Sequence, residues 1–333
     1  MSFQPTFVIT ASILARVEAV AALRERISSA AVQVPWIPTL QKDSRIRNAH
    51  SSTAIEGNPL TLAQVRAVEE GVDLNITERS KQEVLNYFAA MRHIEKFCRI
   101  KRIGHEDLFG LHSIIAGKVM DQGKAGQYRT IRVRVGPYVP PPPEDVSGLM
   151  FELLDWWNKD ALAISPVISS AILHYRFEAI HPFADGNGRM GRALALWELY
   201  RRGFDSHHIF SVDEFYWGDR PRYYRELANV QQQGANLTIW IDYCAEGLQQ
   251  TLEHVWQRMR KLSAASGSER LILRPKQEQL LNLLRTLGPL SPREIWDHLD
   301  VSKQGALDML RPMIEAGLIK RVGTIKSGKY LLS

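Results

Sequence analysis

The chain is 333 residues long, 45% hydrophobic and 23% charged, with a formal net charge of +6. These proportions suit a soluble globular protein of two or three domains that builds its core without staples. Its two cysteines, Cys98 and Cys244, exclude a disulfide framework and a cysteine-rich zinc site, while the mild positive charge fits nucleotides, nucleic acid or plain solubility without choosing among them. No run approaches the roughly 18 apolar residues of a membrane span. No basic start is followed by an apolar block, so a cytoplasmic protein with no membrane partner is expected.

In chain order, Ile9, Ile13, Leu14, Val17, Val20, Leu23 and Ile27 recur at helical spacing and predict a helix over 9–31. Pro35 and Pro38 interrupt it, and helices follow over 39–56, 61–73, 77–99 and 105–117. From Tyr128 to Val139 the pattern changes: Ile131, Val133 and Val135 alternate with Thr130, Arg132 and Arg134, which predicts a short hairpin or strand pair. Prolines 140–143 stop it, and helices resume over 144–158, 166–180 and 189–202. Loops rich in aromatics then lead to helices near 220–231 and 236–262.

Ser263 to Glu269 reads as a linker by composition. Beyond it the sequence predicts a helix over 275–287, a second from a Ser291 cap to Leu299, and a third from a Ser302 cap to Ala316, ended by Gly317. Strands at 318–322 and 329–332 complete a winged-helix module over 270–333. Lys303, Gln304 and Arg311 on its third helix, with Lys320, Arg321, Lys326 and Lys329 in the wing, suit phosphate contact. Asp300, Asp308 and Glu315 dilute that charge, so DNA and protein docking both stand.

The densest chemistry lies at 181–192, His-Pro-Phe-Ala-Asp-Gly-Asn-Gly-Arg-Met-Gly-Arg. Gly186, Asn187 and Gly188 make a tight turn before an amphipathic helix, whose N-terminal N–H groups and dipole favour an anion. Arg189 and Arg192 lie three apart and can share a helical face. His181 is placed to act as base or acid, and Asp185 suits an oxygen-loving cation such as Mg2+. His174, His207 and His208 show no ligand spacing.

This string resembles the motif of the Fic family, His-Pro-Phe-x-Asp/Glu-Gly-Asn-Gly-Arg-x-x-Arg, and matches it at every fixed position. The resemblance implies a mainly α fold, a Fic-type helical bundle with a short β-hairpin flap, and transfer of AMP from ATP to a Ser, Thr or Tyr hydroxyl of a target protein. It makes His181 the base and Asp185 the Mg2+ ligand. It assigns Gly186, Asn187, Gly188, Arg189, Met190 and Gly191 to ATP, with Arg192 on the γ-phosphate. Tyr223 and Tyr224 fall where relatives place aromatics near adenine, one of the pair being open to a place in the core and Tyr224 being assigned to the nucleotide, and Thr130, Ile131, Arg132 and Val133 fall in the target-docking flap.

Upstream, Ser52-Thr-Ala-Ile-Glu56-Gly57 matches the same family's inhibitory motif. A guanidinium can pair with a carboxylate or a phosphate but not both. Glu56 on Arg192, with Ser52 alongside, would therefore hold the site down. Relatives of this arrangement sometimes remove AMP as well, so a de-AMPylating hydrolase is one alternative. A DNA-binding regulator with a nucleotide-sensing core is another, and transfer of UMP or phosphocholine a third. The expected organisation is an N-terminal helical region over 1–100, a catalytic core over 101–262, the linker over 263–269 and the winged helix over 270–333, assembled as a homodimer.

Overall fold

The computed structural model describes residues 3–29, 36–204, 207–232, 234–265, 275–315, 318–323 and 328–332. It divides into two compact units, one of Met1–Arg26 with Gln41–Trp256 and one of Ile27–Leu40 with Gln257–Ser333. The expected break at Pro35, most of the expected linker (266–269), the helix stop at Gly317 and the wing residue Lys326 lie outside the described residues.

The described helices, in order, are α1 (Ala11–Ser29), α2 (Trp36–Ile55), α3 (Leu62–Glu69), α4 (Glu78–Phe97) and α5 (His105–Ala116). Then come α6 (Pro143–Asn158), α7 (Pro166–Ile180), α8 (Asn187–Arg201), α9 (Asp213–Gly218), α10 (Arg220–Gln232) and α11 (Thr238–Ala265). Pro38 lies inside α2 rather than before it, in the first turn, where a proline's missing N–H has no helical partner to lose. A 3-10 turn at Asp160–Ala163 and the short α9 replace stretches read as loop.

At the centre of the first unit α7 packs along α8, and both are buried nearly all round, as helices in the middle of a bundle are. Trp157, Trp197, Trp240 and Phe177 are among the largest fully buried side chains. Glu198 of α8 is also fully buried, and three donors satisfy it: Trp157 Nε1 at 2.6 Å, Ser169 Oγ at 2.6 Å and Arg202 Nη1 at 3.2 Å. A buried carboxylate persists only when compensated in this way.

The predicted strand pair at 128–139 shortens to one antiparallel bridge, Val135 with Tyr138, hydrogen-bonded both ways at 3.0 Å. An isolated two-stranded ribbon has no third strand or helix to stabilise its ladder. Here the base of the segment is held by other means. Arg129 N donates to Pro182 O at 2.9 Å, and the buried Arg129 guanidinium donates to four carbonyls, those of Ile131, Pro141, Ile180 and His181.

In the second unit α12 (Pro275–Leu287), α13 (Pro292–Leu299) and α14 (Lys303–Glu315) precede β1 (Ile319–Val322) and β2 (Lys329–Leu332). The strands pair antiparallel, Ile319 opposite Leu332 and Val322 opposite Lys329. Ser291 caps α13 in a capping box with Glu294, and Gly305 N donates to Ser302 Oγ at 3.1 Å at the start of α14. Leu280, Ile295, Leu310, Met313 and Tyr330 form its core. This is the helix-helix-helix-ribbon order of a winged helix.

Candidate active site

The motif loop joins α7 to α8. His181 closes α7 in the left-handed region at φ 50°, and Gly186 precedes α8 at φ 81°, a conformation that costs glycine little. Asn187 fixes the loop through its side chain, accepting from Phe183 N at 2.9 Å and donating to Phe183 O at 2.9 Å. Its amide side chain is therefore committed to the loop. Asp185 Oδ1 accepts from Gly186 N at 2.6 Å. From α5, His112 stacks on Phe183 at 3.6 Å, accepts from Gly126 N at Nδ1, and so donates from Nε2 to Asp185 O at 2.9 Å.

Arg189 and Arg192 do not share partners. Arg189 turns toward Asp185 (3.6 Å) and Glu83 (3.9 Å), and its buried Nε and Nη1 have no hydrogen-bond partner among the described residues. Arg192 is buried on the other side. It donates from Nε to Ser52 Oγ at 2.9 Å, and from Nη2 to Ser52 O at 2.9 Å and Glu56 Oε1 at 2.8 Å. Asp213 Oδ2 lies 4.0 Å from Nε and accepts from Tyr87 OH at 2.9 Å. Burial opposes the Arg192 charge, but Tyr223 and the carboxylates of Glu56 and Asp213 raise its pKa well above the usual range.

Glu56 stands in the turn that ends α2. Asn58 N donates to Thr53 O at 3.0 Å, and the Asn58 side chain donates to Ser80 O and Glu83 on α4. Tyr224 OH donates to Ile55 O at 3.2 Å. The carboxylate of Glu56 lies so close to Gly188 that a Cβ there would collide with it. A negative charge thus already sits at the positive end of α8, where the sequence places a phosphate.

Glu56, Glu178, His181, Gly188, Arg192 and Tyr224 share the wall of one cleft of about 360 Å³. The flap contributes Val135 to Tyr138 to that wall, whereas Thr130, Ile131, Arg132 and Val133 do not line it. Tyr223, which is buried, and Tyr224, which is 39% exposed, both line the cleft. Burial lowers the pKa of His181 to about 4 and that of His174 to about 3. His181 is therefore neutral near pH 7, as a base requires. Burial raises Glu178 to about 8.

Arg129, Asp213, His112 and Glu178 were not singled out in the sequence. Glu178 alone left a signal there, three residues before His181 on a predicted helix.

Residues 102–199 match the model of the Fic/DOC family. The chain carries a Fic/DOC-family domain. It is 33% identical over 241 residues to the protein adenylyltransferase Fic of Aedes aegypti, covering 70% of this chain and 46% of that protein. Over 171 residues it is 34% identical to the protein adenylyltransferase fic-1 of Caenorhabditis elegans, covering 50% and 34%. The chain thus spans about half the length, or less, of the curated relatives it matches. Among solved structures, a Fic family protein from Desulfovibrio desulfuricans superposes with a TM-score of 0.69 at 28% identity, covering 99% of this chain and 98% of that one. Residues 134–508 of Fic-1 from C. elegans superpose with a TM-score of 0.65 at 27% identity, covering 76% and 74%. The helical Fic fold expected from the motif is the fold observed.

Proposed function

We propose that the chain is a protein adenylyltransferase that moves AMP from ATP to a side-chain hydroxyl and is restrained by Glu56. One observation carries this reading: Glu56 Oε1 sits 2.8 Å from Arg192 and against Gly188, in the cleft that also holds a neutral His181. A carboxylate there occupies the position of a terminal phosphate. With Glu56 withdrawn, the amides of residues 187–189 and the guanidinium of Arg192 bind the phosphates, and Tyr224 offers a ring to adenine. His181 takes the proton of the target hydroxyl, whose oxygen bonds to the α-phosphorus while the bond to pyrophosphate breaks.

Asp185 would hold a Mg2+ ion. No three His, Cys, Asp or Glu groups cluster among the described residues, and one carboxylate completed by substrate phosphates is how Mg2+ is commonly held. Its chemistry there is to offset phosphate charge. The unpartnered donors of Arg189 beside Asp185 fit a phosphate at the same place.

We assign a Ser, Thr or Tyr of a protein as the acceptor, aligned along the flap edge at Val135–Tyr138. The second unit exposes Lys303, Arg311, Lys320 and Lys329 beside Asp308 and Glu315. It serves as a docking module for DNA or protein, and loss of DNA binding on raising salt separates the two. No helix among the described residues is long and apolar enough to cross a membrane. Work in the cytoplasm and pairing into a homodimer are part of the same proposal. The test is incubation of the Glu56→Gly chain with ATP labelled at the α-phosphate, with the chain's own hydroxyls and a cell extract as acceptors. Label bound to protein, and lost in His181→Ala, is the expected result. Transfer of a γ-label instead of an α-label would overturn the assignment.

A further inference from the structure

Glu178 is a buried acid to which the proposed chemistry gives no task. It lies in the last turn of α7, and its Oε2 is 3.8 Å from His181 Nδ1. His181 Nδ1 and Glu178 Oε1 are both buried with no hydrogen-bond partner among the described residues. The acid is also held from the far side. A Cβ at Gly191 of α8 would stand 2.5 Å from Glu178 Oε1, so the absence of a side chain there admits the carboxyl group. Uncompensated buried polar atoms are uncommon in proteins, and the carboxylate oxygen nearest the orphaned Nδ1 is Glu178 Oε2, while the orphaned Oε1 lies on the Gly191 side.

We propose that Glu178 is the positioning residue that sets the tautomer of His181. Its carboxylate accepts from Nδ1–H and leaves the Nε2 lone pair as the ring's acceptor. The inference rests on the reading of His181 as the base. A neutral imidazole has one N–H, and which nitrogen carries it is decided by the partner at the other. With the Glu178 carboxyl protonated, its O–H faces Nδ1, the ring proton sits on Nε2 and the base is blocked. Removal of the carboxyl proton to solvent reverses this. The ring then carries its proton on Nδ1, directed at the carboxylate, and Nε2 takes the hydroxyl proton of the target.

The surrounding charges act on both groups. Arg192 from α8 favours the carboxylate, and Glu56 from the turn after α2 opposes it. The phenol of Tyr223 from α10 faces Glu178, His174 of α7 lies against the same Gly191, and Arg129 and Asp185 face His181. With Glu178 raised to about 8 by burial, the change of tautomer falls in the mildly alkaline range.

The experiment is ¹⁵N NMR of the full chain carrying labelled histidine, without nucleotide, with His181 assigned by its loss in His181→Ala. In the wild type, the His181 nitrogens pass from the Nε2–H to the Nδ1–H pattern as pH rises through about 8. In Glu178→Gln, which keeps shape but cannot titrate, that transition is absent. Gly191→Ala, which displaces the carboxyl without altering either ionisable group, diminishes it and serves where Glu178→Gln does not fold. The same transition in Glu178→Gln, or none in the wild type, overturns the proposal.

In the Glu56→Gly background, the rate of AMP transfer should climb about tenfold per pH unit below the transition, with that slope lost on adding Glu178→Gln. Removing Glu56 takes away one opposing charge and moves the midpoint to lower pH. An NMR transition with no AMP transfer would sink the adenylyltransferase reading alone. AMP transfer with no NMR transition would sink the role of Glu178 alone.

Discussion

Replacing Glu56 with glycine removes one contact whose size follows from its geometry. The Arg192 side chain is fully buried, the Glu56 side chain is 34% exposed, and the two meet at 2.8 Å. A charge-assisted hydrogen bond contributes about 1.5–3 kcal/mol, and solvent on one face of the carboxylate places this one at the lower end. About 1.5 kcal/mol corresponds to about a tenfold shift between the blocked and open states of Arg192. The guanidinium keeps Ser52 Oγ and Ser52 O at 2.9 Å, so the variant retains its fold. The expected outcome is about a tenfold faster initial rate of AMP incorporation at saturating ATP, with unfolding stability lowered by about the 1.5 kcal/mol of the lost contact. The assay is protein-bound label from ATP labelled at the α-phosphate, checked by the mass of one added AMP moiety. A folded Glu56→Gly protein that binds ATP but transfers AMP no faster than wild type would refute the competition for Arg192.

Other outcomes test the frame around the cleft. Arg129→Met leaves four carbonyls without their shared donor, and loosening the flap base should raise the KM for target protein while ATP affinity holds; an unchanged target KM would refute the tether. Asp213→Asn removes a buried counter-charge of Arg192 and should cost about 3 kcal/mol in urea unfolding, since a buried guanidinium is left with less compensation. An unchanged midpoint would show that Glu56 alone balances Arg192. Burial lowers His112, His174 and His181 from the usual 6.5 to about 4, 3 and 4, so each binds its proton more readily in the unfolded chain. Their contribution to stability is complete above about pH 6.5 and is lost as pH falls below it. Glu178, raised to about 8, acts in the opposite sense together with Glu95 and Asp213, which burial also raises, while His50 and His93, which burial lowers, act with the three histidines. The thermal midpoint should therefore drop between about pH 7 and about pH 5, and a flat profile would contradict the burial of these rings.

Twelve consecutive residues carried most of the candidate site into the sequence, because a turn and one helix start hold His181, Asp185 and Arg192 together without help from distant segments. Glu56 was legible for a different reason: a carboxylate at a helix end has meaning once a phosphate-binding arginine is in view. Long amphipathic helices and the capped helices of the second unit were also readable, Pro275–Leu287 among them. What stayed hidden depends on pairs far apart in the chain. His112 reaches Asp185 across 73 residues and Arg129 reaches His181 across 52, and nothing local distinguishes either from a surface residue. Arg189 and Arg192 are three apart on one helix, yet tertiary partners draw their side chains to different carboxylates. The alternation at 130–135 was real, but alternation makes a ladder only where a second strand is supplied. Asn187 shows the reverse case, a residue placed on the ligand by the motif whose side chain is held by Phe183.

The central claim is that one guanidinium is contested between an internal carboxylate and the end of a triphosphate. Paired structures of the wild-type and Glu56→Gly chains, each solved with ATP, test it most directly. In the variant, Arg192 is expected to hold the γ-phosphate with the α-phosphorus facing His181, while in the wild type Arg192 stays on Glu56 and the phosphates lie askew. The same phosphate placement in both, or ATP bound outside this cleft, would contradict it.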